Sequence, residues 1–347
     1  MTEESSTLAE ICNSTTAVEA TTVDASTLTS SSLRGIEFYF YWAVVVIGAI
    51  GTSANALILY ALVASKEHKK HVLIVNQNAL DLFSCIFLVV TYSVKLGNVR
   101  LSDGWLGYWL CMLIHSDNIL WAGINGSIIN LAIIAIERYL KIVHAAWSKT
   151  KLRNWMIYSA MAFAWVGSII YANILVFLTC AVINGVCYVM IFNSKASKLS
   201  WFFWKFVSFY VIILSICVFC YARILLVVRR QAKIMAGHHA ADAASNAAQN
   251  PRNQLQSNII KTMILVCGFY AVMWLPSNVS HLIMALSPVP NPFLISGYYA
   301  TLFLAFLYTC SNPFIYATKF NPVKEILLRM IPCRKTSNQA MQSGNNS

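Results

Sequence analysis

Charge is scarce in this chain. Only 11% of its 347 residues are Asp, Glu, Lys or Arg, where an ordinary soluble domain carries roughly 25%. With 58% of the residues hydrophobic, a water-soluble globule of this size is excluded. Disorder along the whole chain is excluded too, because it needs low hydrophobicity and high charge. Acidic residues are the scarcer sign: 13 stand against 25 Lys and Arg, a formal net charge of +12. Metal-ligand clusters are missing. His238-His239 has only Asp242 nearby, which leaves an intramembrane metal hydrolase without ligands. No internal repeat is visible, which argues against a repeat-built transporter or channel around a midplane site. No basic start followed by an apolar run appears, so no cleavable signal peptide is expected.

Long apolar runs are what the chain does have. A helix needs about 20 apolar residues to cross the bilayer core. Seven such stretches lie at roughly 38–63, 72–95, 108–140, 154–178, 202–228, 258–286 and 293–318. The third and sixth are long enough to tilt or to protrude. The expected fold is an all-α membrane protein, a seven-transmembrane helix bundle. A short amphipathic eighth helix follows from Asn321 to Ile331, with Val323, Ile326, Leu327, Met330 and Ile331 on one face, suited to a membrane surface. The chain divides into a disordered, acidic tail at 1–37, the membrane domain at 38–318, and an amphipathic helix with a C-tail at 319–347.

Orientation follows from Lys and Arg in the loops. One side of seven alternating helices collects Lys66, Lys69, Lys70, Lys141, Lys149, Lys151, Arg153, Arg223, Arg229, Arg230, Lys233, Arg252, Lys261 and the C-terminal cluster. The other holds Arg34, Lys95, Arg100, Lys195, Lys198 and Lys205. The basic side is expected in the cytoplasm, with the N-terminus outside and the C-terminus inside. The excess positive charge therefore marks a membrane orientation and contact with anionic lipid, with no nucleic-acid partner. Asn13-Ser14-Thr15 becomes an accessible glycosylation sequon. The sequons at Asn125 and Asn278 fall inside spans.

Some residues are costly where they stand. Asp81 lies inside the second span among Leu80, Leu82 and Phe83, and an intramembrane carboxylate is a functional candidate by default. Asn55, Ser127 and Asn312 are its expected polar neighbours, a cluster with room for waters and a small cation such as Na⁺. Glu137-Arg138-Tyr139 ends the third span, where Glu137 can hold Arg138 in a resting pose. Trp274-Leu275-Pro276 places a kink inside the sixth span. Asn312-Pro313-Phe314-Ile315-Tyr316 places a second proline in the seventh.

Taken in order, these elements resemble the rhodopsin-like (class A) G-protein-coupled receptors. The resemblance covers about 38–333. It runs through Gly51-x-x-x-Asn55, Leu80-Asp81, Glu137-Arg138-Tyr139, Trp165, Tyr221, Trp274-x-Pro276 and Asn312-Pro313-x-x-Tyr316. Glu137–Lys149 and Cys310–Lys319 are most similar to peptide-type members related to somatostatin and galanin receptors. The resemblance implies a plasma-membrane receptor, not an enzyme, that carries an extracellular signal to a heterotrimeric G protein. It implies that Glu137, Arg138, Tyr139, Tyr221, Trp274, Pro276, Asn312, Pro313 and Tyr316 carry activation. It also implies an outer disulfide, with Cys111–Cys187 the expected pair and Cys180 the alternative partner. Cys333, beside Arg334 and Lys335, is a palmitoylation candidate.

The ligand class follows partly by exclusion. Leu120 stands where amine receptors of the family carry Asp, and Phe306 where opsins carry the retinal lysine. The candidate pocket instead offers His115, Asp117, Trp121, Lys205, Tyr210, His281, Tyr298 and Tyr299, which suit a peptide or else a polar small molecule. The chain also departs from the family. Cys111 lies two residues farther from Arg138 than usual, so the top of the third helix should bulge. The fifth span, Trp201 to Val228, contains no proline. Met273 replaces a common Cys, and Tyr308 replaces an Asn that helps hold Na⁺. The sixth span's cytoplasmic end has no acid to pair with Arg138, so the resting state should be weakly latched.

Overall fold

The computed structural model describes residues 34–231 and 260–328, apart from positions 67, 69–70, 100, 103, 175, 178–179, 190–191, 193, 288–291, 319–322 and 325. Asn13, Cys333, His238 and His239 lie outside the described residues. Seven helices among the described residues are long and apolar enough to cross a membrane. They are Arg34–Ala64, Val72–Leu96, Trp105–Val143, Asn154–Ile174, Lys195–Gln231, Ile260–Leu286 and Pro292–Thr318. They are helices because lipid offers backbone N–H and C=O groups no partners, so each span satisfies its own. The first span starts earlier than the hydropathy predicts. Arg34 to Glu37, assigned above to the tail, are already helical, and Glu37 accepts a hydrogen bond from the Tyr299 hydroxyl at 2.8 Å.

The bundle interior is a continuous core that includes Leu88, Leu120, Ile128, Leu131, Tyr270, Trp274, Phe306 and Tyr316, all buried. Phe163, Ile170, Phe219 and Val272 face outward and are exposed, as lipid-facing side chains are. Lipid supplies no hydrophobic drive between helices, so close contact depends on small residues. A Cβ on Gly51 would lie 2.7 Å from Cys85 Sγ and 2.8 Å from Cys310 Sγ, so this glycine lets the first, second and seventh spans meet. A Cβ on Gly123 would lie 2.6 Å from Ser84 Oγ, which sets the second span against the third.

Two spans carry wide, π-helical turns. In the third it covers Cys111–His115, and Asp117 just beyond takes a left-handed φ of 60°, a conformation Asp tolerates better than most residues. This is the expected bulge. The surplus length is absorbed there, and Cys111 still reaches Cys187, with Cα atoms 5.4 Å apart. In the fifth span the turn covers Phe206–Val211, so widening there needs no proline. The Tyr270 hydroxyl of the sixth span donates to the carbonyl of Phe209. In return the Tyr210 hydroxyl donates to the carbonyl of Ala271 at 2.8 Å. These reciprocal bonds stitch the fifth and sixth spans together.

Between the fourth and fifth spans lies a hairpin of β1 (Ala181–Ile183) and β2 (Val186–Tyr188), antiparallel with Val182 opposite Cys187. Its turn is Asn184-Gly185, with φ of 53° and 74°, the pair that a tight two-residue hairpin turn demands. Leu101 N–H donates to the Gly185 carbonyl at 3.1 Å, and the disulfide fastens the other side. Cys180 stays a free thiol, and partial burial raises its pKa above the ordinary thiol value. At the opposite end a short helix covers Asn321–Met330. Val323 on it is buried, and Ile326 and Leu327 pack against the bundle core, so this part of its apolar face is covered by protein as well.

Candidate functional site

Three polar regions follow one another down the bundle. The first is a vestibule near the disulfide. Lys95 Nζ contacts both carboxylate oxygens of Asp117, at 2.6 and 2.7 Å. Lys205 Nζ sits over the Trp121 ring, 3.7 Å from its centroid. An ammonium above an indole face is held by the ring quadrupole, and Trp121 is thereby fixed beneath it. The His281 ring is tied through Nδ1 to the Ser277 carbonyl at 2.6 Å and lies 3.4 Å from the Tyr298 hydroxyl. Tyr298 packs on Tyr299. Of the residues expected to line a pocket, Asp117, Trp121, Lys205, His281, Tyr298 and Tyr299 make these contacts, and two of the expected residues are engaged by other protein groups. Tyr210 is turned to the sixth span by its bond to Ala271, and Asp117 is engaged by Lys95.

An aromatic column descends from this vestibule. Trp121 contacts Trp274 and Phe306, with centroids 6.1 and 6.3 Å apart. Trp274 meets Tyr270 at 6.4 Å, and Tyr270 meets Tyr308 at 5.7 Å. Tyr308 lies one turn above Asn312 on the seventh span, so the column ends at the second polar region.

That region centres on Asp81, which is fully buried. Ser127 Oγ donates to its Oδ1 at 2.6 Å, and Asn312 Nδ2 donates to its Oδ2 at 2.8 Å. Gln77, one turn earlier on the second span, places Nε2 at 3.4 Å from Oδ1 and 3.5 Å from Oδ2. Its Nε2 also donates to Ser127 Oγ. Asn55 departs from expectation. Its side chain donates to the Gly51 carbonyl at 2.9 Å and to Cys85 Sγ at 3.6 Å. Its carbonyl accepts from Asn78 Nδ2 at 2.7 Å. It braces the first span against the second and makes no hydrogen bond to Asp81.

The third region is the basic end. Arg138 Nε lies 3.0 Å from Glu137 Oε2. Neither atom has an aligned hydrogen-bond partner, so this is an ion pair held by proximity. Lys141, one turn on, contacts the other Glu137 oxygen. Arg138 Nη2 reaches His71 Nδ1 at 3.5 Å, and Tyr139 Oη lies 3.0 Å from His144 Nε2. The hydroxyls of Tyr221 and Tyr316 are buried with no hydrogen-bond partner. Pro276 and Pro313 sit inside their helices, each removing one backbone donor from its span.

This arrangement has relatives in sequence and shape. Residues 54–316 match the model of the 7 transmembrane receptor (rhodopsin family). The chain belongs to the rhodopsin family of seven-transmembrane receptors. The receptor is 24% identical to galanin receptor type 1 of Rattus norvegicus over 328 residues, covering 87% of this chain and 85% of that one. It is also 24% identical to somatostatin receptor type 3 of Mus musculus, covering 92% of this chain and 74% of that one. Its fold matches the crystal structure of squid rhodopsin with a TM-score of 0.67 at 19% identity, covering 86% of each chain. It is therefore a multi-pass membrane receptor and not an enzyme.

The receptor also has site residues that the sequence reading passed over. Gln77 is one, although the run Asn76-Gln77-Asn78 inside an apolar span was a visible signal. Lys95 is another, because a lysine at a helix end reads as a loop charge until Asp117 is seen beside it. A cation at Asp81 would need acceptor oxygens turned toward the carboxylate. The hydrogen bonds to Asp81 come from donors on Ser127, Asn312 and Gln77, while oxygens on Asn55, Asn78, Asn312 and Tyr308 in this core have no hydrogen-bond partner, so the buried carboxylate is compatible with a small cation.

Proposed function

We propose that this receptor lies in the plasma membrane with its disulfide end outside. In this reading it binds a peptide in the vestibule and transmits the signal to a heterotrimeric G protein at its basic end. The observation that carries the reading is the aromatic route that leads from the vestibule through Trp121, Trp274, Tyr270 and Tyr308 to the polar core around Asn312 and Asp81. The peptide class is supported by the galanin and somatostatin receptor likenesses. A vestibule that mixes Lys95, Asp117, Lys205, His281 and several Tyr rings supports it too, since those groups match the backbone and side-chain chemistry of a peptide. The orientation is supported by the basic loop charges and by a disulfide, which persists only on an oxidising side.

The mechanism is a shift between two packings. A ligand pressing on Trp121 moves Trp274, and the sixth span swings at Pro276. Arg138 then leaves Glu137 for the Tyr221 and Tyr316 hydroxyls, which stand buried and unbonded in the resting packing. The opened basic face admits the end of a Gα subunit. A ligand drives this only by its difference in affinity for the two packings.

A peptide library screened with a promiscuous G-protein readout tests the reading. The expected result is peptide-dependent nucleotide exchange above an empty-vector control. That response should fall at least about tenfold in potency in Lys205→Gln, the loss of roughly 1.4 kcal/mol of charge-assisted contact. Ion flux in place of nucleotide exchange, or activation confined to non-peptide compounds, would overturn it.

A further inference from the structure

Asp81 stands at the end of a chain of side-chain hydrogen bonds whose direction is fixed. Trp165 Nε1–H, which can only donate, gives its hydrogen to Asn76 Oδ1 at 2.9 Å. The Asn76 amide must then turn its Nδ2 onward, to Asn130 Oδ1 at 2.9 Å. Asn130 Nδ2 donates to Gln77 Oε1 at 2.9 Å and to the Leu73 carbonyl at 3.0 Å. A carbonyl only accepts, so the orientation of Asn130 is pinned a second time. With its oxygen taken by Asn130, Gln77 must direct Nε2 at Ser127 Oγ and Asp81. Ser127, whose oxygen accepts from Gln77, sends its own proton to Asp81 Oδ1.

Reversing any one amide would set N–H against N–H or oxygen against oxygen in a buried site, so the chain keeps one polarity. Asn76, Gln77, Asp81, Ser127 and Asn130 are all buried. The result is that Ser127 Oγ accepts from Gln77 while it donates to Asp81, and hydrogen-bond donors reach both oxygens of the carboxylate. The remaining buried acceptors without partners in this core, on Asn55, Asn78, Asn312 and Tyr308, are neutral oxygens of the kind that a buried water satisfies.

We propose that the Trp165–Asn76–Asn130–Gln77 chain is a built-in donor relay that takes the place of a sodium ion at Asp81. Gln77 is its positioning residue. The resting packing of this receptor is then indifferent to sodium.

The test uses the purified full-length receptor in detergent. Its thermal midpoint is read in NaCl and in N-methylglucamine chloride at equal ionic strength, for the wild type, Gln77→Met and Asp81→Asn. Met nearly preserves the volume of Gln but donates nothing, so Ser127 Oγ loses its donor and Asp81 keeps only Ser127 and Asn312. The expected result is the same wild-type midpoint in both salts. Gln77→Met should be lowered in N-methylglucamine and partly restored by sodium. A merely structural role for Gln77 would lower its midpoint equally in both salts, and that outcome would overturn the proposal. A sodium-specific rise in the wild type that Asp81→Asn abolishes would overturn it as well.

Discussion

Two polar clusters occupy the interior of this bundle, and they are built in opposite ways. Around Asp81, donors reach both carboxylate oxygens, and the amides behind them run in one direction from Trp165. Around Arg138, a salt bridge lacks hydrogen-bond alignment and two tyrosine hydroxyls lack partners. The amides from Asn76 to Gln77 are paired in one direction. Such a chain is rigid in a low-dielectric interior because reversing any member leaves groups unbonded, even though oxygens on Asn55, Asn78, Asn312 and Tyr308 in the same core have no partner. An unsatisfied one has bonds still to gain elsewhere. The contrast assigns a static anchor to the middle of the bundle and a poised element to its basic end. Substitutions in the two clusters should therefore differ in kind.

The largest expected effect is at the poised end. Arg138→Ala removes the only group of the cluster that can exchange Glu137 for Tyr221 and Tyr316. G-protein activation should fall to the empty-vector level, measured as nucleotide exchange in membranes, while ligand binding and thermal midpoint stay close to wild type. Retained coupling would break the assignment of Arg138 as the moving part.

Next comes the anchor. Asn130→Ala deletes a residue that accepts from Asn76 and donates to Leu73 and Gln77. Each buried partner left without a bond costs about 1–3 kcal/mol. The variant should lose several degrees in thermal midpoint, the reverse of the Arg138→Ala pattern. A midpoint unchanged from wild type would mean that the relay is not a source of stability.

The anchor was also the harder of the two to read in advance. Seven spans are legible because an apolar run of sufficient length has only one stable conformation in lipid, and the observed bounds fall within a few residues of the hydropathy for most of them. Asp81, Ser127 and Asn312 are legible as partners because a buried carboxylate must find donors and these lie at matching depths. Asn55 lies at a similar depth yet bonds elsewhere, because helix rotation, which hydropathy does not encode, aims its amide at Gly51 and Cys85. The same gap hides Gln77, Asn130 and the Lys95–Asp117 pair. Each depends on which faces of two helices meet. The bulge above Ser116 is the instructive opposite: against the spacing of the family it resembles, the length between Cys111 and Arg138 is in surplus and has to be absorbed somewhere.

A smaller effect concerns the strength of the latch. Glu137 is the acidic partner that holds Arg138 among the described residues, and Lys141 competes for it. The pair is buried and each loss of about 1 kcal/mol from the latch is about fivefold in the equilibrium, so Glu137→Gln should raise basal nucleotide exchange by about fivefold or more. Wild-type basal exchange should itself exceed the empty-vector control. A silent wild type would show that the switch is latched by more than this pair.

The smallest effect on stability, that of Tyr316→Phe, sharpens the comparison most when set beside Ser127→Ala. Tyr316→Phe removes a hydroxyl that is buried without a partner in the resting packing, whereas Ser127→Ala removes one that donates to Asp81. Both substitutions delete a single oxygen from the same interior. Deleting an unbonded hydroxyl relieves a desolvation cost, while deleting a bonded one creates it, on the order of 1–3 kcal/mol in each direction. Tyr316→Phe should therefore leave the thermal midpoint unchanged or raise it, yet lower the maximal nucleotide exchange, because Arg138 loses a partner it acquires only after moving. Ser127→Ala should lower the midpoint. If both variants lose stability alike, the Tyr316 hydroxyl is bonded at rest, and the distinction between anchor and switch fails at that residue.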